Sequence, residues 1–234
     1  MALHYDLHIH SCLSPCAQED MTPANICAMA RLKGLDVIAV TDHQSAGNLP
    51  AVAACAAREG LLLVPGLEVC TREEVHVLCY FADVAAAQRM GTWCYGLLPD
   101  IPNRPDYFGE QSLVNERDEV IGTEPRMLLM ALTAGLDEVI AQARALGGVP
   151  VPAHINRGEN GILTALGFLP PEARFTALEV SPELPLPGGL DESRYRVLHS
   201  SDAHQLGDIA ERGHTIPAVS GAAEVLRWLG LVTA

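Results

Sequence analysis

A chain of 234 residues with 49% hydrophobic content is long enough for one large α/β domain or two small ones and can bury a core. No apolar run reaches the ~18 residues of a membrane span, and Met1 to His4 leads straight into a strand-like segment, so neither a membrane protein nor a secreted one is expected. With 29 acidic against 15 basic residues the formal charge is −14, which is expected to repel anionic membranes and duplex nucleic acid.

Leu3 to His10 alternates polar and apolar residues, the pattern of a strand with one packed face. It sets His4, Asp6, His8 and His10 on the other face, with His8 and His10 side by side and able to share one divalent ion. Ser11 to Asp20 reads as a loop. Thr22 then suits an N-cap and Pro23 the first position of a helix that Gly34 ends. Asp36 to Val40 is a strand apolar on both faces, delivering Asp42 and His43. A helix over roughly Pro50 to Arg58 follows, then a strand from Leu61 to Pro65 that delivers Glu68, and another from Val75 to Phe81. This β-α-β-α-β order predicts parallel pairing.

Between about Asp100 and Arg126 the pattern gives way to an insertion, readable as a lid or as a hairpin of Ser112–Asn115 with Glu119–Gly122. Leu136 to Leu146 is a helix ended by Gly147 and Gly148. Val149 to His154 is a strand whose prolines put it at an edge or a distortion. Strands over Thr176–Val180 and Arg196–His199 and a helix over Ala222–Leu229 complete the chain. Seven cysteines without a paired framework fit a reducing cytoplasm.

Apolar runs end in Thr41-Asp42-His43, Gly66-Leu67-Glu68, Ala153-His154 and Ser200-Ser201-Asp202-Ala203-His204. In barrels of parallel strands, catalytic residues gather at such carboxyl ends. Arg157, three residues beyond His154, would share that mouth, and its planar fork suits a phosphate group.

The set His8-x-His10, Thr41-Asp42-His43, Glu68 with His76, His154, and Asp202-x-His204 resembles, in order and spacing, the motifs of the polymerase and histidinol phosphatase (PHP) superfamily. The resemblance runs over essentially the whole chain. It implies a single domain over 1–234, a distorted (β/α)7 TIM-like barrel with the insertion at about 100–126. It further implies a cytoplasmic metal-dependent phosphoesterase with two to three divalent ions of zinc, manganese or iron. Its substrate would be a small phosphorylated molecule, with 5′ ends of short oligonucleotides as the alternative.

Carried over residue by residue, the resemblance gives the first metal to His8, His10, Glu68 and Asp202. Glu68 bridges to a second, completed by His76 and His154, and a third takes His43 and His204 with a residue of the loop after His10. A hydroxide between the first two metals attacks phosphorus, and His43 or His204 helps protonate the leaving oxygen. The loop departs from the family pattern, since an acid or histidine is expected where Pro15 and Cys16 stand. The nearest acids are Glu19 and Asp20, of which Asp20, beside a helix start, is the better fixed; Cys16 and water stay open. Asp6 and Asp42 are expected to orient imidazoles through their free ring nitrogens. His4, His199 and His214 match no ligand motif. Two rivals remain: an amidohydrolase, for which the single lysine, Lys33, is badly placed in a helix, and a non-catalytic metal-bound regulatory domain.

Overall fold

The computed structural model describes residues 2–182, 184–185, 188 and 190–230, and in it the amino-terminal alternation builds β1 (Ala2–Ile9). The chain continues through α1 (Pro23–Leu32), β2 (Val37–Val40), α2 (Leu49–Glu59), β3 (Leu62–Leu63), β4 (Gly66–Cys70), β5 (His76–Tyr80) and α3 (Val84–Leu97). A single turn, α4 (Pro105–Phe108), precedes the antiparallel pair β6 (Ser112–Val114) and β7 (Val120–Thr123). Then come α5 (Leu136–Ala145), β8 (Val149–Pro152), α6 (Ile162–Leu166), β9 (Ala177–Glu179), β10 (Arg196–Leu198), β11 (Thr215–Pro217) and α7 (Ala222–Leu229). Sequence reasoning missed α3, whose start Asp83 caps by accepting the Ala86 amide, and the three-residue β11.

The parallel order holds for β1–β2–β3 and for β9–β10. It fails elsewhere: β11 runs antiparallel to β1, and β4–β5–β8 is an antiparallel sheet. The described strands therefore form separate sheets and not a closed (β/α)7 barrel. The reason is chain length. Only Thr71 to Val75 separate β4 from β5, whereas a parallel return needs about a dozen residues. The Thr71 amide donates to the Val75 carbonyl, and Glu74 at φ +59° closes this tight turn. As a result β5 begins at the end of the molecule where β1 and β2 finish. Short backbone bridges join the sheets there: the Gln44 amide donates to Glu68 and the Glu68 amide back to Thr41 and Asp42, His10 and Ala203 are linked in the same way through His8, and the Ile155 amide donates to Glu179.

Two apolar clusters hold the layers together. One packs Ile26 and Ala30 of α1, Val52 of α2, Met90 of α3 and Val139 of α5 over the sheets. The other joins Tyr5, Leu7, Ala39, Leu78, Val151 and Leu198 of the strands to Val225, Leu226 and Leu229 of α7. Each such fully buried side chain contributes roughly 1.5–3 kcal/mol. Among the described residues no helix is long and apolar enough to cross a membrane, and all seven cysteines are free thiols.

The β6–β7 hairpin is tied down at several points. The Ser112 amide donates to Cys12, the Val114 amide to Asn48 Oδ1, and Asn48 Nδ2 back to Ser112. Thr22 occupies the N-cap position of α1 but makes no capping bond itself. Its hydroxyl donates instead to Asp118 of the hairpin turn, whose other oxygen accepts the Ala24 amide at 3.1 Å. Asp118→Ala is therefore expected to cost about 1 kcal/mol of unfolding free energy in urea. Asp118→Asn, which keeps an acceptor oxygen and tolerates the left-handed backbone at φ +61°, should stay near the parent.

Candidate metal centre

β4 carries Glu68 into the mouth, and the surrounding elements supply imidazoles. His8 and His10 come from the end of β1, His43 from beyond β2, His76 from the start of β5, and His154 from beyond β8. Asp202 and His204 follow β10. The Glu68 carboxylate is 1% exposed and faces five rings. Its Oε1 lies 2.9 Å from His76 Nδ1, 3.3 Å from His154 Nε2 and 3.4 Å from His8 Nε2. Oε2 lies 3.1 Å from His43 Nδ1 and 3.4 Å from His10 Nε2. Asp202 Oδ1 is 3.2 Å from Nε2 of both His8 and His10.

Protons on some of these rings answer the buried carboxylates. Burial alone would lower His8 and His10, yet Glu179, Asp202 and Glu68 lift His8 well above the usual imidazole range, and Asp202 and Glu68 bring His10 to about 9. Burial alone would raise Glu68, but His76 and His8 hold its carboxyl well below the usual range. His43 and His204 move the other way. Burial and the neighbouring His10 push His43 well down and His204 to about 4, so both rings are neutral near pH 7.

Orphaned polar atoms test whether divalent ions suit this set. His43 Nδ1, Glu68 Oε1 and His76 Nδ1 are buried without a hydrogen-bond partner. Nδ1 of His76 and Oε1 of Glu68 stand 2.9 Å apart without bonding. Such groups are costly unless a cation lies among them. Among the described residues three sets have all their donor atoms within 4.8 Å of one another: His8, His10 and Glu68; His43, Glu68 and His76; and His10, Cys16, His43 and His204. Imidazole, carboxylate and thiolate donors at this density fit zinc, manganese or iron.

Asp20 stands apart from all three sets. The loop after β1 turns tightly, Ser14 donating to Ser11, Ala17 to Ser14, and Gln18 to the carbonyl of His204. That course brings Cys16 to the mouth and leaves Glu19 and Asp20 exposed at the surface, where the Asp20 carbonyl accepts Asn25 Nδ2. His43 also belongs beside Glu68 and His76, and not with His204 alone.

The orienting roles expected of Asp6 and Asp42 fall to other residues. Register against β2 slips between Asp6 and Ile9, so Tyr5 and Leu7 join one apolar cluster and Ile9 the other. A bulge of one residue reverses the parity of a strand. Asp6 therefore faces away from His8 and His10, and accepts from the Ser201 amide and hydroxyl and the Ala210 amide. Asp42 touches no ring: it accepts from Ser11 and from the Ser14 hydroxyl, and Ser14 in turn accepts from His10 Nδ1 at 3.0 Å.

The direct partner of His8 is Glu179, which sequence reasoning missed. His8 Nδ1 donates to its carboxylate at 2.9 Å, turning Nε2 toward Glu68 and Asp202. Glu179 also accepts the amide of His154, holding that residue at φ +28°. Asp202 is left-handed too, at φ +54°. Strain of this kind is kept where surrounding bonds over-determine a site. The available signal was an acid inside the otherwise apolar strand Thr176–Val180.

Arg157 reaches the mouth, its Nη1 2.6 Å from Asp202 Oδ2, with 38% of its side chain exposed. With Asp202, Ser201 and His214 it lines a cavity of about 530 Å³. His4, His199 and His214 join none of the donor sets, and the last two stack at 4.3 Å.

Comparison with solved structures finds this fold in several other proteins. The chain is similar to a protein from Bifidobacterium adolescentis provisionally described as a metal-dependent phosphoesterase, with 19% identity over 96% of this chain and 94% of that one and a TM-score of 0.64. It is also similar to Endonuclease Q in complex with a 27-mer duplex carrying an abasic lesion at the active site, at 19% identity and a TM-score of 0.62. That match covers 88% of this chain and 50% of that one, so the chain spans about half the length of the endonuclease. An amidohydrolase from Chromobacterium violaceum with bound sulfate and no metal matches at 19% identity over 96% of both chains, with a TM-score of 0.57. No family model and no curated protein matches the chain. The chain thus has a mixed α/β fold shared with these proteins, without the closed barrel that the resemblance implied.

The expectation that duplex nucleic acid is excluded is overturned, because this fold holds a duplex at the active site of Endonuclease Q. The error was physical. Net charge summed over a whole chain does not report the field at one mouth, where bound cations can invert it.

Glu179→Gln should loosen the hold on His8 and weaken divalent-ion binding by roughly 10–100-fold while leaving the circular dichroism unchanged. Competition against a chromogenic chelator measures this directly. Parent-like affinity would remove Glu179 from the centre.

Proposed function

We propose that this chain is a metal-dependent phosphoesterase acting at the Glu68 centre. The observation that carries this reading is one buried carboxylate faced by five imidazoles, with an arginine at its edge. His8, His10, Glu68 and Asp202 would hold one ion, and Glu68 with His76 and His154 a second. His43 and His204 would take part in a third. When bound, such ions polarise a phosphoryl oxygen and make water a nucleophile near neutral pH.

The chain's own side chains would do the rest. Glu179 and Ser14 fix the rings of His8 and His10. Arg157 keeps free donors in its fork beyond the one directed at Asp202, and offers them to phosphate oxygens in the adjoining cavity. His43 and His204, neutral near pH 7, keep the lone pairs that a cation needs.

The substrate would be a phosphomonoester such as a nucleotide or a small phosphorylated metabolite. A second reading, cleavage of a nucleic-acid phosphodiester, draws support from the fold shared with Endonuclease Q. Hydrolysis of an aryl phosphate with added Mn²⁺ or Zn²⁺, abolished by chelation, is the first test. Glu68→Gln should lose at least one ion and about 10³-fold or more in turnover, as when a preorganised electrostatic group is removed, while keeping the fold. A mononucleotide, a single-stranded oligonucleotide and an abasic duplex offered to the loaded enzyme separate the two readings. Full metal content with no turnover on any of them would favour the non-catalytic domain.

Arg157→Ala should cost about 1.5–3 kcal/mol in kcat/KM for phosphoesters while metal content is retained. A plain surface ion pair with Asp202 would be worth about 0–1 kcal/mol and leave kcat/KM alone.

A further inference from the structure

Six of the seven cysteines are buried, and Cys16 alone is exposed. Its loop is fastened to the centre by the bond from the Gln18 amide to the carbonyl of His204. The donor atoms of Cys16, His10, His43 and His204 all lie within 4.8 Å of one another. His43 is 5% exposed, and its Nδ1, 3.1 Å from Glu68 Oε2, makes no hydrogen bond.

We propose that the Cys16 thiolate is a metal ligand, completing a site with His43 and His204 beside His10, and that this position selects zinc or a similarly thiophilic divalent ion over manganese or magnesium. The inference rests on the reading that the cluster holds metals, and adds to it a ligand chemistry. Thiolate and imidazole suit zinc, cobalt and ferrous iron, whereas manganese and magnesium prefer carboxylate and water. An acid at position 16 would have left the site open to the harder ions. Binding forms the sulfur–metal bond as the thiol proton passes to solvent, with no change of oxidation state.

Cobalt(II) added to the metal-free protein reads the ligand directly. The parent should show a near-ultraviolet thiolate-to-cobalt charge-transfer band together with visible ligand-field bands. In Cys16→Ser the near-ultraviolet band should vanish while the visible bands persist. Zinc should slow alkylation of Cys16 by iodoacetamide about tenfold or more in the native protein, the protection expected of a thiolate held by metal. Cys16→Asp should accept manganese where the parent accepts zinc. Visible bands without the near-ultraviolet band, or alkylation unaffected by zinc, would overturn the thiolate ligand and leave the phosphoesterase reading standing. No cobalt binding at all would overturn both.

Discussion

Everything at the mouth answers to the burial of Glu68. A carboxylate 1% exposed would ordinarily take up a proton or be replaced by an apolar side chain. Here Asp202 stands with it across the same pair of rings, His8 and His10. Two anions this close are tolerable only when positive charge lies between them. Protons raised onto His8 and His10 can supply that charge, and divalent ions would supply more of it with better geometry. The unbonded Nδ1 atoms of His43 and His76, which face Glu68, favour the second solution.

The backbone bends twice to make this convergence possible. Antiparallel pairing of β4 with β5 turns the start of β5 toward the mouth, so His76 arrives beside Glu68 although the other ligand candidates end their strands or follow them. The bulge in β1 brings His8 into line with His10 and sends Asp6 to the loop that carries Ser201 and Ala210. Asp6 thereby ties the Asp202 loop to β1, a structural task that places a candidate ligand without touching it. Glu179 performs a similar double task, since one carboxylate orients His8 and pins the backbone of His154.

Much of this was readable in the residues. The strand endings pointed to His43, His154 and Asp202, and the family resemblance added His76; the three histidines stand around the Glu68 carboxylate, and Asp202 faces His8 beside it. Helix limits were good where glycine and proline punctuate, as at Pro23, Gly34 and Gly147. What failed depended on pairing, which a linear pattern does not contain. Period-two alternation put Asp6 with His8 because a bulge leaves no mark in composition. Proximity along the chain favoured Asp20, whereas the turn through Ser14 and Ala17 carries the acids outward and leaves Cys16 facing the histidines. The antiparallel turn was the avoidable error, since the stretch between the strands read over Leu61–Pro65 and Val75–Phe81 is already shorter than the roughly twelve residues a crossover needs.

Charge shows why local arrangement outranks composition here. The chain is acidic by −14, yet its mouth gathers six histidines and Arg157 around Glu68 and Asp202. Imidazoles contribute nothing to the formal count at neutral pH, so the count overlooks the groups that set the sign of the potential there. An acidic exterior slows the approach of any polyanion, small or large, and is screened within about 8 Å at physiological salt. Discrimination between a metabolite and a nucleic acid must then come from the walls around the mouth. On one side stands the cavity with Arg157, Ser201 and His214, and the β6–β7 hairpin is fastened to the loop that carries Cys16. Both walls are built from loops and the insertion, the parts of a fold in which substrate choice is free to vary while the ligand-bearing strands stay the same.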